Sequence, residues 1–170
     1  MIKFACDDMV GRLARWLRIL GYDTSYDAAL AESEFVKRAV RESRLVLTRD
    51  GGLSGRWTLP SCLHLEGERT YDQLRQVISE LNLPITDYKI FTLCLKCNKP
   101  LGEIHKGEAR GRVPAFVYRT KDHFFSCPDC GRLYWRGTHH DLVRGIIAHV
   151  LERKNDSGEN SSAQEGRSGA

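Results

Sequence analysis

Two Cys-x-x-Cys pairs, Cys94-x-x-Cys97 and Cys127-x-x-Cys130, with 29 residues between Cys97 and Cys127, constrain this 170-residue chain more than any other feature. Each pair turns two thiolates to one side of a tight knuckle, and two facing knuckles form the tetrahedral four-sulfur shell that Zn²⁺ accepts. Asn98 after the first pair, and Pro128 with Gly131 around the second, supply the turn chemistry such knuckles need. A closed four-thiolate shell leaves no position open for substrate, so zinc here is expected to be structural. Disulfides would require an oxidising compartment, and a thioredoxin-type redox motif would require a pair that opens a helix after a strand, which neither does. The segment is thin in apolar residues, and its fold is expected to depend on the metal.

Charge divides along the chain as the cysteines do. Residues 1–89 carry 13 basic and 13 acidic side chains, residues 90–153 carry 11 and 6, and residues 154–170 carry 2 and 3. The overall charge of +4 is too weak to name a nucleic-acid partner, but the surplus sits in the cysteine-bearing segment. No run approaches the ~18 apolar residues of a membrane span, and the acidic start MIKFACDDMVGR is unlike a secretory signal, so a cytoplasmic protein without membrane contact is expected. Residues 154–170 (KNDSGENSSAQEGRSGA) have almost nothing to bury and are expected to be disordered.

The first segment alternates short apolar runs with amphipathic stretches. Ile2–Cys6, Tyr22–Tyr26 and Arg44–Thr48 read as strands, with a weaker fourth near Cys62–Leu65. Between and after them, Val10, Leu13, Leu17 and Leu20, then Phe35, Val36, Ala39 and Val40, then Leu74, Val77, Ile78 and Leu81 mark helix faces. The arginines at 12, 15 and 18 are expected on the outer side of the first helix. This alternation predicts an α/β domain over residues 1–83, a parallel sheet with helices on both faces. Residues 90–153 are read as a zinc ribbon, short and loop-rich to Trp135, with a closing helix that carries Leu142, Val143, Ile146, Ile147 and Val150.

In such sheets the ligand site lies beyond the carboxyl ends of the strands. Asp7 and Asp50 occupy that place on two strands, and Glu34, or Glu32, stands near the start of the second helix. Grouped carboxylates repel unless a cation neutralises them, and oxygen ligands suit Mg²⁺ or Mn²⁺, which can activate water against a phosphodiester. Arg12, Arg15 and Arg49 are near enough in sequence to guide a phosphate backbone. Taken singly, Asp7 or Asp8 is more often a helix cap and Asp50 a turn residue, and it is their coincidence at this sheet edge that points to a site. A receiver-domain reading of the Asp pair lacks its late-strand Lys.

In the second segment, Arg110, Arg112, Arg119, Lys121, Arg132 and Arg136 are interleaved with Phe116, Tyr118, Phe124, Phe125, Tyr134 and Trp135. The mixture suits phosphate contact with base stacking, and equally a small core with a solvated face. Arg132, Trp135 and His139 are the candidates for substrate contact. With four cysteines available, His139 and His140 are not needed as zinc ligands.

Residues 3–24 (KFACDDMVGRLARWLRILGYDT), 44–50 (RLVLTRD), 94–98 (CLKCN) and 125–139 (FSCPDCGRLYWRGTH), in this order, resemble the Mut-seven C-terminal RNase family, a PIN-like nuclease domain fused to a zinc ribbon. The resemblance implies a metal-dependent ribonuclease acting on single-stranded RNA, with Asp7 and Asp50 in its acidic cluster and the four cysteines on zinc. The PIN pattern of a Glu ahead of two apolar helix residues favours Glu34, which precedes Phe35-Val36. Two departures stand out: Ser33 where relatives carry an acid, and Gly51-Gly52 where they are often acidic. The thinner acidic set leaves a second reading, a non-catalytic RNA- or ribosome-associated binding module. A toxin-like PIN nuclease with a neutralising partner fits a ribbon-bearing chain poorly.

Overall fold

The computed structural model describes residues 2–59 and 61–152, without the side chains of Thr138 and His139. The tail at 154–170 lies outside the described residues. Four strands, β1 (Phe4–Cys6), β2 (Thr24–Ser25), β3 (Leu45–Thr48) and β4 (Cys62–His64), form a parallel sheet in the order β2-β1-β3-β4. The register pairs Phe4 with Thr24 and Leu45, and Val46 with Cys62.

The two-residue period of the strands sorts side chains to opposite faces. Phe4, Cys6 and Leu47 belong to the larger core, with Leu13 and Leu17 of α1 (Gly11–Ile19) and Leu74, Val77 and Ile78 of α4 (Thr70–Glu80). Ala5 and Val46 point the other way, to Val36 and Ala39 of α2 (Glu32–Arg41) and Leu53 of α3 (Leu53–Arg56). This is the α/β layering that the alternation of elements predicts. Gly21 closes α1 at φ +83°, and a Cβ there would lie 2.5 Å from the carbonyl oxygen of Lys89, so the site takes glycine on two counts.

The second segment forms an antiparallel sheet, β5-β6-β7, from β5 (Gly102–Ile104), β6 (Phe124–Ser126) and β7 (Leu133–Trp135). It also contains the short helix α5 (Ala115–Thr120) where the sequence reads as loop, since six residues are too few to display a period. The closing helix α6 (Thr138–Glu152) returns to the first layer: Val143 and Ile147 join the larger core, and the Val150 carbonyl accepts from Arg75 Nε at 2.8 Å. No described helix is long and apolar enough to cross a membrane.

One expectation about α1 is corrected. Arg18 is buried, not outward, because three backbone carbonyls meet its guanidinium: Nε donates to Thr24 (2.9 Å), and Nη1 to Leu95 (2.9 Å) and Lys96 (3.0 Å). Beside it, the Asn98 Oδ1 accepts from the Thr24 N–H at 3.0 Å and its Nδ2 donates to Asp23 at 2.6 Å. These bonds seat the first cysteine knuckle at the amino end of the parallel sheet. Asp7 and Asp50 follow β1 and β3 at the other end.

Candidate active site and cysteine cluster

Beyond the carboxyl ends of the strands lies a cleft of about 140 Å³, lined by Asp7, Asp8, Met9, Asp27, Leu30, Glu32, Phe35, Asp50 and Leu53. Asp7 caps the turn into α1, accepting from the Met9 N–H at 3.0 Å, and its other oxygen accepts from the Thr48 hydroxyl. Burial pushes its carboxyl above the ordinary range, against the pull of those two donors. Asp50 accepts from the Gly52 N–H at 2.8 Å and from Arg56. Arg56 also reaches Glu32 at 2.9 Å, and the Trp57 indole N–H donates to Glu32 at 2.6 Å. Arg56 is thus the largest influence holding both Glu32 and Asp50 below the usual carboxylate range.

The structure brings Asp7, Glu32 and Asp50 to one cleft and leaves Glu34 outside it. Helical spacing is the reason: Glu32 lies three and four residues before the inward-facing Phe35 and Val36, on their face of α2. Glu34 falls on the opposite side, exposed and paired with Lys37 at 2.8 Å. Arg12 and Arg15 are exposed on α1, Arg49 lies 4.0 Å from Glu68, and none of the three lines the cleft. Sequence reasoning missed Asp27 and Arg56. Asp27 follows β2 much as Asp7 follows β1, a signal that was there to read, whereas nothing local in the sequence marks Arg56 as the partner of two acids.

At the other end of the sheet, Cys94, Cys97, Cys127 and Cys130 bring their sulfurs within 4.8 Å of one another, a set that could hold a metal ion. The Cys94 and Cys130 sulfurs are 3.8 Å apart, the edge of a tetrahedron with bonds of about 2.3 Å to zinc. The two knuckles share one turn, with Asn98 N–H donating to Cys94 O and Gly131 N–H to Cys127 O, at φ 60° and 65°. Burial pushes the Cys94 thiol up, but the Tyr134 hydroxyl at 3.2 Å and the N–H groups of Cys97 and Lys96 outweigh it and bring it to about 6. Cys97 is pushed up to about 12, chiefly by its hydrogen bond with Cys130. Arg132 is exposed at the second knuckle, and Trp135 is partly exposed on β7. The His139 side chain lies outside the described residues.

Searches of curated proteins and of solved structures returned no match. A family model does match, that of the Mut7-C RNAse domain, over residues 2–147. Spanning both the sheet with its acidic cleft and the cysteine ribbon, this match shows that the chain belongs to the Mut7-C RNAse domain family.

Proposed function

We propose that this chain is a metal-dependent endoribonuclease that hydrolyses phosphodiester bonds of single-stranded RNA in the acidic cleft. The observation that carries the reading is the meeting of Asp7, Glu32 and Asp50, with Asp27, beyond the carboxyl ends of adjacent parallel strands in a Mut7-C RNAse chain. Their all-oxygen, anionic donor set fits Mg²⁺ or Mn²⁺, which Asp7, Glu32 and Asp50 would hold. When bound, such an ion supplies Lewis-acid activation of water and stabilises charge on the phosphate. The chain's own groups do the rest. Thr48 and the Met9 N–H fix the Asp7 carboxylate, which would orient the attacking water. Arg56 is the guanidinium at hand for the phosphate. The four thiolates hold a structural zinc.

Asp7→Asn tests the assignment. Cleavage of a labelled single-stranded RNA in Mn²⁺ should be lost while the melting temperature is not lowered, because burial already disfavours the charged carboxylate. Undiminished cleavage by the purified variant refutes the reading.

A second reading, the non-catalytic RNA- or ribosome-associated module, is favoured by one observation: Arg56 already neutralises Asp50 and Glu32. Calorimetry with Mn²⁺ separates the two, since the module would bind no ion beyond the zinc.

A further inference from the structure

Where the ribbon meets α6, three hollows run together. An apolar pair of about 100 and 180 Å³ shares Phe91, Tyr134, Trp135 and His140. They open through Arg136 and His140 into a wider cleft of about 600 Å³ that also carries Lys121 and Arg144. One end is therefore walled by flat aromatic rings, and the other carries three basic side chains, Lys121, Arg136 and Arg144, against two acids, Asp87 and Asp141. Arg144 is committed to Asp87, at 2.6 Å, but Arg136 and Lys121 make no ion pair among the described residues.

Two details set this groove apart from an incidental crevice. Phe91 sits at φ 58°, a conformation unfavourable for a bulky residue, held there by its N–H bond to Ile19 O at 2.8 Å; its ring centroid lies 5.2 Å from that of His140. His140 lines all three hollows, and its Nε2 is shut from solvent with no hydrogen-bond partner. Burial, and after it Arg136 and Arg144, lower the His140 pKa.

We propose that this groove is a nucleotide-binding site for single-stranded RNA, in which a base stacks among Phe91, Tyr134 and Trp135 while Arg136 and Lys121 hold the neighbouring phosphate. Bases offer π-faces to aromatic side chains, and a polyanion supplies the charge that Arg136 and Lys121 lack. The inference rests on the RNA reading of the acidic cleft but concerns the opposite end of the sheet.

The test uses the full zinc-loaded chain carrying Asp7→Asn, so that RNA is bound and not cut, with a 5′-fluorescein 12-nucleotide oligouridylate followed by anisotropy. Adding Trp135→Ala should weaken binding about 5- to 150-fold, the range for losing one stacked base. Adding Arg136→Ala instead, an exposed position safe for folding, should weaken binding and lower the slope of log affinity against log salt by about one. Oligomers containing 5-iodouridine should photo-crosslink to Phe91, Tyr134 or Trp135. If the Asp7→Asn parent binds the oligomer and both added variants bind it equally well, the groove is overturned and the RNA reading stands. If the parent binds no RNA, the RNA reading falls and the groove with it.

Discussion

Replacing Asn98 by Gly isolates the junction between the sheet and the first cysteine knuckle. Glycine accepts the backbone at φ 60° without strain, so the change removes two side-chain hydrogen bonds and little else. One is the bond from the Thr24 N–H, whose residue is fully buried, so the donor is left unsatisfied at a cost of about 1–3 kcal/mol. The other is the 2.6 Å bond to Asp23, a carboxylate, of the class that contributes about 1.5–3 kcal/mol, reduced here because Asp23 is partly exposed. Together they give a loss of about 2–4 kcal/mol. For a chain of this size each kcal/mol moves the melting temperature by about 2–4 °C, so Asn98→Gly should melt about 5–15 °C lower. Asn98→Ala should fall further, since it adds about 1–2 kcal/mol for a Cβ in the left-handed region. The assay is thermal unfolding of protein with equal zinc content, checked by elemental analysis. A Gly variant that melts within 1 °C or so of the parent, still carrying its metal, would refute the view that this junction contributes to stability.

Zinc should be found at one ion per chain, and Cys94→Ser or strong chelation should remove it, open residues 90–135 to proteolysis and lower the melting temperature of the whole chain through Arg18 and Asn98. Arg56→Ala should raise Mn²⁺ affinity severalfold in calorimetry, more at low salt, because Asp50 and Glu32 lose the cation that competes for them. Acid should weaken the fold through Asp23: burial raises its pKa, but Arg44 and Asn98 more than offset this and hold it below the unfolded value. Its pairing therefore stabilises fully above about pH 4 and is lost as pH falls through the folded value, and Asp23→Asn should flatten the acid limb of urea unfolding below about pH 4. Asp7 works in the opposite sense, its raised pKa making ionisation oppose folding at neutral pH and relieving that cost on acidification.

The parts of this molecule legible in its sequence are those written in short periods. The alternation that buries Phe4 and Cys6 on one face and Ala5 on the other, the helix faces of α1, α2 and α4 (apart from Val40, expected inward on α2 and found exposed), and the Cys-x-x-Cys spacing all depend on neighbours a few residues apart. The position of Glu32 was also there to be read, since its spacing from Phe35 and Val36 puts it on the cleft side. The family pattern favours Glu34, but Lys37 three residues on is its partner on the outer face. Arg18 was different. Its carbonyl partners at Leu95 and Lys96 lie 77 and 78 residues away, and no local pattern announces that a charged side chain in a run of arginines is to be buried. Arg56 was equally hidden, for it meets Glu32 and Asp50 only after α2 and α3 have packed on the same face of the sheet.

Helix α1 connects the two ends of this design. It starts just past Asp7 and finishes where Ile19 O receives the Phe91 N–H and Arg18 grips the cysteine knuckle. Its nine residues span about 13 Å at a rise of 1.5 Å each. An RNA that touches both the acidic cleft and the aromatic groove must cover at least that distance, about four nucleotides of a stacked strand at 3.4 Å each. Shorter oligomers would engage one end alone, so affinity and cutting should separate as the substrate is trimmed. On longer ones, with the proposed cut at one end and the proposed base grip at the other, the helix would serve as a ruler for the distance between them.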